Sequence, residues 1–177
     1  MTLGLYTLDQ NYINFLSQYE PKIYLNKKEK RPYVGVVLKI NGFDYFAPLS
    51  SPKEKHKTMK NQIDFVKIEK GELGVINLNN MIPVCEGLAK KIDINRTNNK
   101  QYKILLINQV QFINRNYKKI NQQAFKLYEK VTIYNSKLAV RCCNFLELER
   151  LSKIYEETII SKQITSITIP TKTVKVA

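Results

Sequence analysis

The densest apolar pattern in the chain lies between Tyr33 and Leu49. The run YVGVVLKI (33–40) is β-branched and nearly continuous, which predicts a central strand buried on both faces. Asn41-Gly42 follows, and because both residues tolerate positive φ the pair predicts a tight type I′ turn. FDYFAPL (43–49) then predicts the returning strand. Shorter apolar runs predict strands at 3–8 (LGLYTL), 64–68 (DFVKI), 73–77 (LGVIN) and 81–84 (MIPV), with a weaker one at 88–94. Elsewhere the period lengthens. Tyr12, Phe15, Leu16 and Tyr19 follow Asp9 at helical spacing, so Asp9 predicts an N-cap. Between about 99 and 119, Tyr102, Leu106, Val110, Ile113, Tyr117 and Ile120 form one amphipathic stripe, and a second helical segment covers 121–133. Asn144, with Glu147 three residues on, predicts the start of a short last helix carrying Leu148, Leu151 and Ile154. From Thr158 the tail is β-branched and free of acids, which fits either an edge strand or a loose extension. The predicted fold is α+β: a compact, mainly antiparallel, twisted sheet with helices around it, as one domain over 1–157 and an extension over 158–177.

Charge narrows what such a domain does. The 177 residues hold 29 Lys and Arg against 15 Asp and Glu, a net charge of +14. A field of that sign attracts polyanions: RNA, DNA or an anionic membrane. No apolar run approaches the roughly 20 residues of a membrane span, and no secretory leader is visible. Three cysteines, Cys85, Cys142 and Cys143, make no disulfide framework and point to reduced thiols in a cytoplasmic setting. The excess is local. Residues 21–70 contain twelve Lys and Arg and five Asp and Glu, leaving seven positive charges uncompensated. Two polar loops, 21–32 and 50–62, flank the predicted hairpin, and an antiparallel pairing brings them to the same end. Lys27, Lys28, Lys30 and Arg31 are thereby expected beside Ser50, Ser51, Lys53, Lys55, His56 and Lys57. Tyr24 and Tyr33 lie nearby for stacking on unpaired bases.

Candidate chemistry is bounded by what is missing. The acids are scattered, so no carboxylate cluster is expected to hold a metal ion, and no cofactor is implied. His56 is the sole histidine, which excludes a paired-histidine acid–base scheme. Ser50-Ser51-Pro52-Lys53 offers two hydroxyls, a stiff backbone and an ammonium. Those groups suit stabilisation of a charged phosphoryl transition state, although the four residues by themselves also fit an ordinary turn. Three readings stay open on the residues alone: an RNA-cleaving enzyme, a basic RNA-binding protein without chemistry, and, less well supported, a DNA-binding regulator.

Several linked motifs favour the first reading. The segments GLYTL, NYINFL, YVGVVLKINGFDYFAPLSSPKEKH, LGVINLNNMIPV, LLINQVQFINRN and CCNFLELE, in that order between residues 3 and 157, resemble the ToxN/AbiQ toxins of type III toxin–antitoxin systems. The resemblance implies a fold related to the MazF/Kid ribonuclease toxins. It implies metal-independent RNA cleavage leaving a 2′,3′-cyclic phosphate and a 5′-hydroxyl, used in abortive infection of phage-infected bacteria. The implied partners are cellular or phage RNA substrates and a small, repeat-derived, pseudoknotted antitoxin RNA, which the toxin processes and with which it assembles as a toxin–RNA hetero-oligomer. Carried onto this chain, Ser51 and Lys53 are the expected catalytic pair, with Ser50 standing where relatives often have Thr. Tyr12 matches the aromatic of the first helix, where a core role fits its apolar stripe equally well. Arg31 falls where relatives carry Lys and, with its very high pKa, is expected to bind phosphate rather than donate a proton. Asn116 is expected in the RNA groove, with Lys55 and Lys57 as contacts blind to sequence.

Overall fold

A computed structural model describes residues 3–23, 31–134 and 136–168. Among these residues seven strands form one antiparallel sheet: β1 (Gly4–Leu8), β2 (Tyr33–Ile40), β3 (Phe43–Ser50), β4 (Val66–Lys67), β5 (Val75–Ile76), β6 (Ile82–Pro83) and β7 (Ala89–Lys91). Their order is β4-β5-β3-β2-β1-β7, with β6 pairing onto β3. The hairpin at its centre is the one expected. Asn41 and Gly42 take φ of 53° and 81° at its tip, and pairing runs from Ile40↔Phe43 to Tyr33↔Pro48. The register slips between Gly35 and Leu38, and the displaced Val37 carbonyl accepts from Asn121 Nδ2 at 3.0 Å. At the open end the Leu49 N–H donates to the Pro32 carbonyl at 2.9 Å. Loops 31–32 and 50–53 therefore do share one edge of the sheet.

Among the described residues five α-helices pack around this sheet: α1 (Gln10–Ser17), α2 (Glu54–Thr58), α3 (Lys100–Arg115), α4 (Tyr117–Thr132) and α5 (Phe145–Thr168). Asp9 caps α1 by accepting from the Tyr12 N–H at 3.0 Å, and Asn144 accepts from the Glu147 N–H at 3.2 Å. The stripe expected to run unbroken to 119 is divided at Asn116. There φ and ψ are −110° and 12°, and the side-chain amide takes the Phe112 carbonyl at 2.9 Å. The Asn116 N–H is shared between the Phe112 and Ile113 carbonyls at 3.0 and 3.2 Å, the tightened last turn of a helix that ends there. The last helix is long, not short, and passes Thr158 without becoming a strand. The hydroxyls of Thr158 and Ser161 bond back to the carbonyls of Ile154 and Glu157 at 2.8 Å, so both are satisfied within the helix.

The core lies where β2, β3 and β6 meet α4 and α5, with Tyr45, Tyr128 and Phe145 in mutual ring contact. The buried Glu149 carboxylate accepts from Tyr45 Oη and Tyr128 Oη, each at 2.7 Å, which ties the hairpin to both helices. Burial, then this carboxylate, pushes both phenols well above their ordinary pKa. Among the described residues no helix is long and apolar enough to cross a membrane.

Candidate active site

β3 ends at Ser50, and Ser51, Pro52 and Lys53 turn outward into α2. Ser51, Pro52, Lys53 and Lys55 are exposed, whereas Ser50 is half-buried. The Lys53 backbone is extended, with φ −146° and ψ 146°, and its carbonyl accepts from the His56 N–H at 2.8 Å. What holds the loop is the segment that follows β4. Gly74 sits at φ +100°, and a Cβ there would lie 2.1 Å from the Ser50 carbonyl oxygen. Gly71 sits at φ +101°, and a Cβ would lie 2.5 Å from the His56 carbonyl oxygen. Only glycine allows both approaches. Asn77 adds a polar clamp: its Nδ2 donates to the Pro48 carbonyl at 3.1 Å and to Ser50 Oγ at 2.9 Å.

A groove of about 740 Å³ runs alongside, between the 57–70 segment and the junction of α3 with α4. Lys57, Lys67, Lys70 and Lys119 line it with Phe112 and Asn116, against a single acid, Glu69. Gln123 fixes one wall by donating to the carbonyls of Ile63 and Phe65 at 3.0 and 2.9 Å. The groove is tied to the loop through the sheet. Lys67 pairs with Val75, which pairs with Ser50, so two strand spacings, about 10 Å, separate Lys67 from Ser50.

The sequence-level expectations divide here. Ser50, Ser51, Lys53 and Lys55 stand together at the sheet edge, with the half-buried Arg31 across the hairpin mouth. Asn116 lies on the groove rather than at the loop. Three expected RNA contacts are corrected. Tyr12 is fully buried, its hydroxyl donating to the Pro83 carbonyl at 2.7 Å and lying 3.1 Å from Ser152 Oγ. Tyr33 is buried in the core, where desolvation pushes its hydroxyl up to about 12. His56 is the buried residue of α2, and its Nδ1 has no partner among the described residues. Burial, then the neighbouring charges of Lys55, Lys53 and Lys67, lowers its pKa. Lys57 is exposed but paired with Glu54 at 3.0 Å and Glu72 at 3.2 Å, bonds that raise its pKa. Lys30, with Tyr24, Lys27 and Lys28, lies outside the described residues.

The sequence and the fold are similar to those of a known group. The sequence profile described as "Toxin ToxN, type III toxin-antitoxin system" matches residues 4–153. The chain belongs to the ToxN family. It is 34% identical over 168 residues to the endoribonuclease ToxN of Bacillus thuringiensis subsp. kurstaki, covering 89% of this chain and 87% of that one. It is 32% identical over 171 residues to the endoribonuclease AbiQ of Lactococcus lactis subsp. lactis, covering 89% and 91%. A solved structure from work on type III toxin inhibition by a non-coding RNA pseudoknot superposes with a TM-score of 0.79 at 34% identity, covering 89% of this chain and 99% of that one. The structure of AbiQ, a lactococcal anti-phage endoribonuclease, gives 0.78 at 28% identity and the same coverage.

Within this ToxN-family chain, sequence reasoning missed Asn77, Gly71 and Gly74. It also missed the groove lysines Lys67, Lys70 and Lys119. The glycines had a signal: two of them three residues apart in a polar turn, just before an Asn-rich segment. Nothing in the sequence placed Asn77 opposite Pro48, since that depends on which strand β5 joins.

Proposed function

We propose that this protein is an endoribonuclease toxin that cuts RNA at the Ser50–Lys53 loop, needs no metal ion, and is restrained by a small repeat-derived antitoxin RNA that it processes. The observation that carries the reading is an exposed loop of hydroxyls and an ammonium, with its backbone braced from below, at the edge of a basic groove. Relatives named as endoribonucleases, one of them anti-phage and another studied for inhibition by an RNA pseudoknot, support both the activity and a role in phage defence. The RNA's 2′-oxygen attacks the adjacent phosphorus and forms the new P–O bond while the bond to the 5′-oxygen breaks. The 2′ proton passes to solvent. Lys53 stabilises the charged phosphorane and supplies a proton to the departing 5′-oxygen, and Ser51 orients the phosphate. The products are a 2′,3′-cyclic phosphate and a 5′-hydroxyl. The strand continues along the groove, with its phosphates facing Lys67, Lys70 and Lys119 and an unpaired base near Phe112. Arg31 acts as a fixed positive charge across the hairpin mouth.

Among the described residues no three His, Cys, Asp or Glu side chains converge as metal ligands. Purified protein freed of RNA is therefore expected to cut single-stranded RNA at an undiminished rate in EDTA. Activity that vanishes in EDTA and returns with Mg²⁺ would sink the mechanism, and binding without any cleavage would leave a basic RNA-binding protein instead.

Lys55 and Lys57 separate binding from chemistry. Lys55 makes no ion pair among the described residues, so Lys55→Ala should reduce the salt slope of binding to single-stranded RNA by about 0.7, the value for one lost phosphate contact. Lys57→Ala should reduce it less, because Glu54 and Glu72 already engage that ammonium. The cleavage position should not move in either variant, and a shifted site would mean these lysines read bases.

A further inference from the structure

The Ser50 hydroxyl carries one hydrogen, and its neighbours decide where it points. Asn77 makes two bonds to the Pro48 carbonyl, from its backbone N–H at 3.0 Å and from Nδ2 at 3.1 Å. A carbonyl oxygen only accepts, so the amide nitrogen, not the amide oxygen, must face Pro48. The second hydrogen of the same Nδ2 goes to Ser50 Oγ at 2.9 Å. Ser50 Oγ thus acts as an acceptor on its inner side, and its own proton is committed to no partner among the described residues. Its backbone cannot turn to compensate: Ser50 is paired to Val75, and Gly74 is packed on its carbonyl.

We propose that Asn77 is a positioning residue for RNA cleavage, which holds the Ser50 hydroxyl as an acceptor inward so that its proton points outward as a donor to a non-bridging oxygen of the scissile phosphate. A phosphate offers only acceptors, so a hydroxyl whose proton were bound inward would present a lone pair to it and repel it. The inference rests on the ribonuclease reading above. It gives the half-buried serine a role that its exposed neighbour Ser51 does not need Asn77 to perform.

The test is a double-mutant cycle on a short single-stranded RNA that the wild-type protein cuts, following kcat, KM and thermal melting. Asn77→Ala keeps the backbone bond to Pro48 and is expected to fold, with kcat down about tenfold and KM nearly unchanged. Ser50→Ala should lower kcat by about 10². The two changes should not add, and Ser50→Ala/Asn77→Ala should be no slower than Ser50→Ala alone. Asn77→Asp, whose carboxylate draws the Ser50 proton inward, should fall below Asn77→Ala. A wild-type kcat in Asn77→Ala overturns the inference, as does a fully active Ser50→Ala. An Asn77→Ala effect of the same size with and without Ser50 overturns it too, because the amide would then act on structure rather than through the hydroxyl. If Asn77→Asp does not fold, the alanine cycle alone decides. Wild-type protein that binds but never cuts the RNA would defeat the ribonuclease reading itself, a different outcome from cleavage that ignores Asn77.

Discussion

Replacing Lys53 with Ala should slow RNA cleavage by about 10² to 10³, the usual effect of losing one preorganised electrostatic donor, while melting stays that of the wild type. The structural basis is a division of labour between backbone and side chain. The Lys53 carbonyl is bonded to the His56 N–H, and His56 is the buried side chain of α2, with Gly71 pressed on its own carbonyl. The position is therefore fixed although the side chain is exposed and makes no ion pair among the described residues. Removing that side chain takes nothing from the fold. Ser51→Ala should act in the same direction. A companion substrate tests the nucleophile: RNA with a 2′-deoxy sugar at the scissile nucleotide should bind but resist cleavage. One gel with wild-type and Lys53→Ala protein on normal RNA, and wild-type on the deoxy substrate, reads all of this. Undiminished cleavage of the deoxy substrate would refute internal attack, and a fully active Lys53→Ala protein would remove Lys53 from the site.

Gly74→Ala should damage both stability and activity, at a position with no side chain to lose. At φ +100° a residue with a Cβ carries strain of about 1 to 3 kcal/mol. Here the Cβ would also stand 2.1 Å from the Ser50 carbonyl oxygen, so one of the two segments must move. We expect a loss of about 3 kcal/mol in urea unfolding, near the upper end of that strain range. The protein that remains folded should have a reduced kcat, because relief of the overlap displaces Ser50 and the loop that follows it. Gly42→Ala is the control. Gly42 also has positive φ, but its Cβ would meet nothing within 4 Å. That variant should carry the backbone strain alone and keep its kcat. Equal loss of activity in the two variants would mean that packing against Ser50 is not what matters.

The sequence by itself determined the central hairpin, the caps at Asp9 and Asn144, the helical stripes and the basic edge, because each depends on residues close together in the chain. Asn-Gly sets its own turn, and loops at the two ends of one hairpin must meet whatever the rest of the fold does. The linked motifs from GLYTL to CCNFLELE likewise carried the family. Tertiary structure decided what burial did to those residues. Tyr12, Tyr33 and His56 look like polar aromatics available to RNA, yet each is buried by packing that the local sequence does not specify. The divided α3–α4 stripe and the long α5 show the same limit for helices: the backbone departs from helical φ/ψ at Asn116 and stays helical past Thr158, and the spacing of apolar residues fixes neither. Asn77, Gly71 and Gly74 became part of the site only because β5 pairs with the end of β3. That pairing is long-range, and no pattern within either segment names its partner.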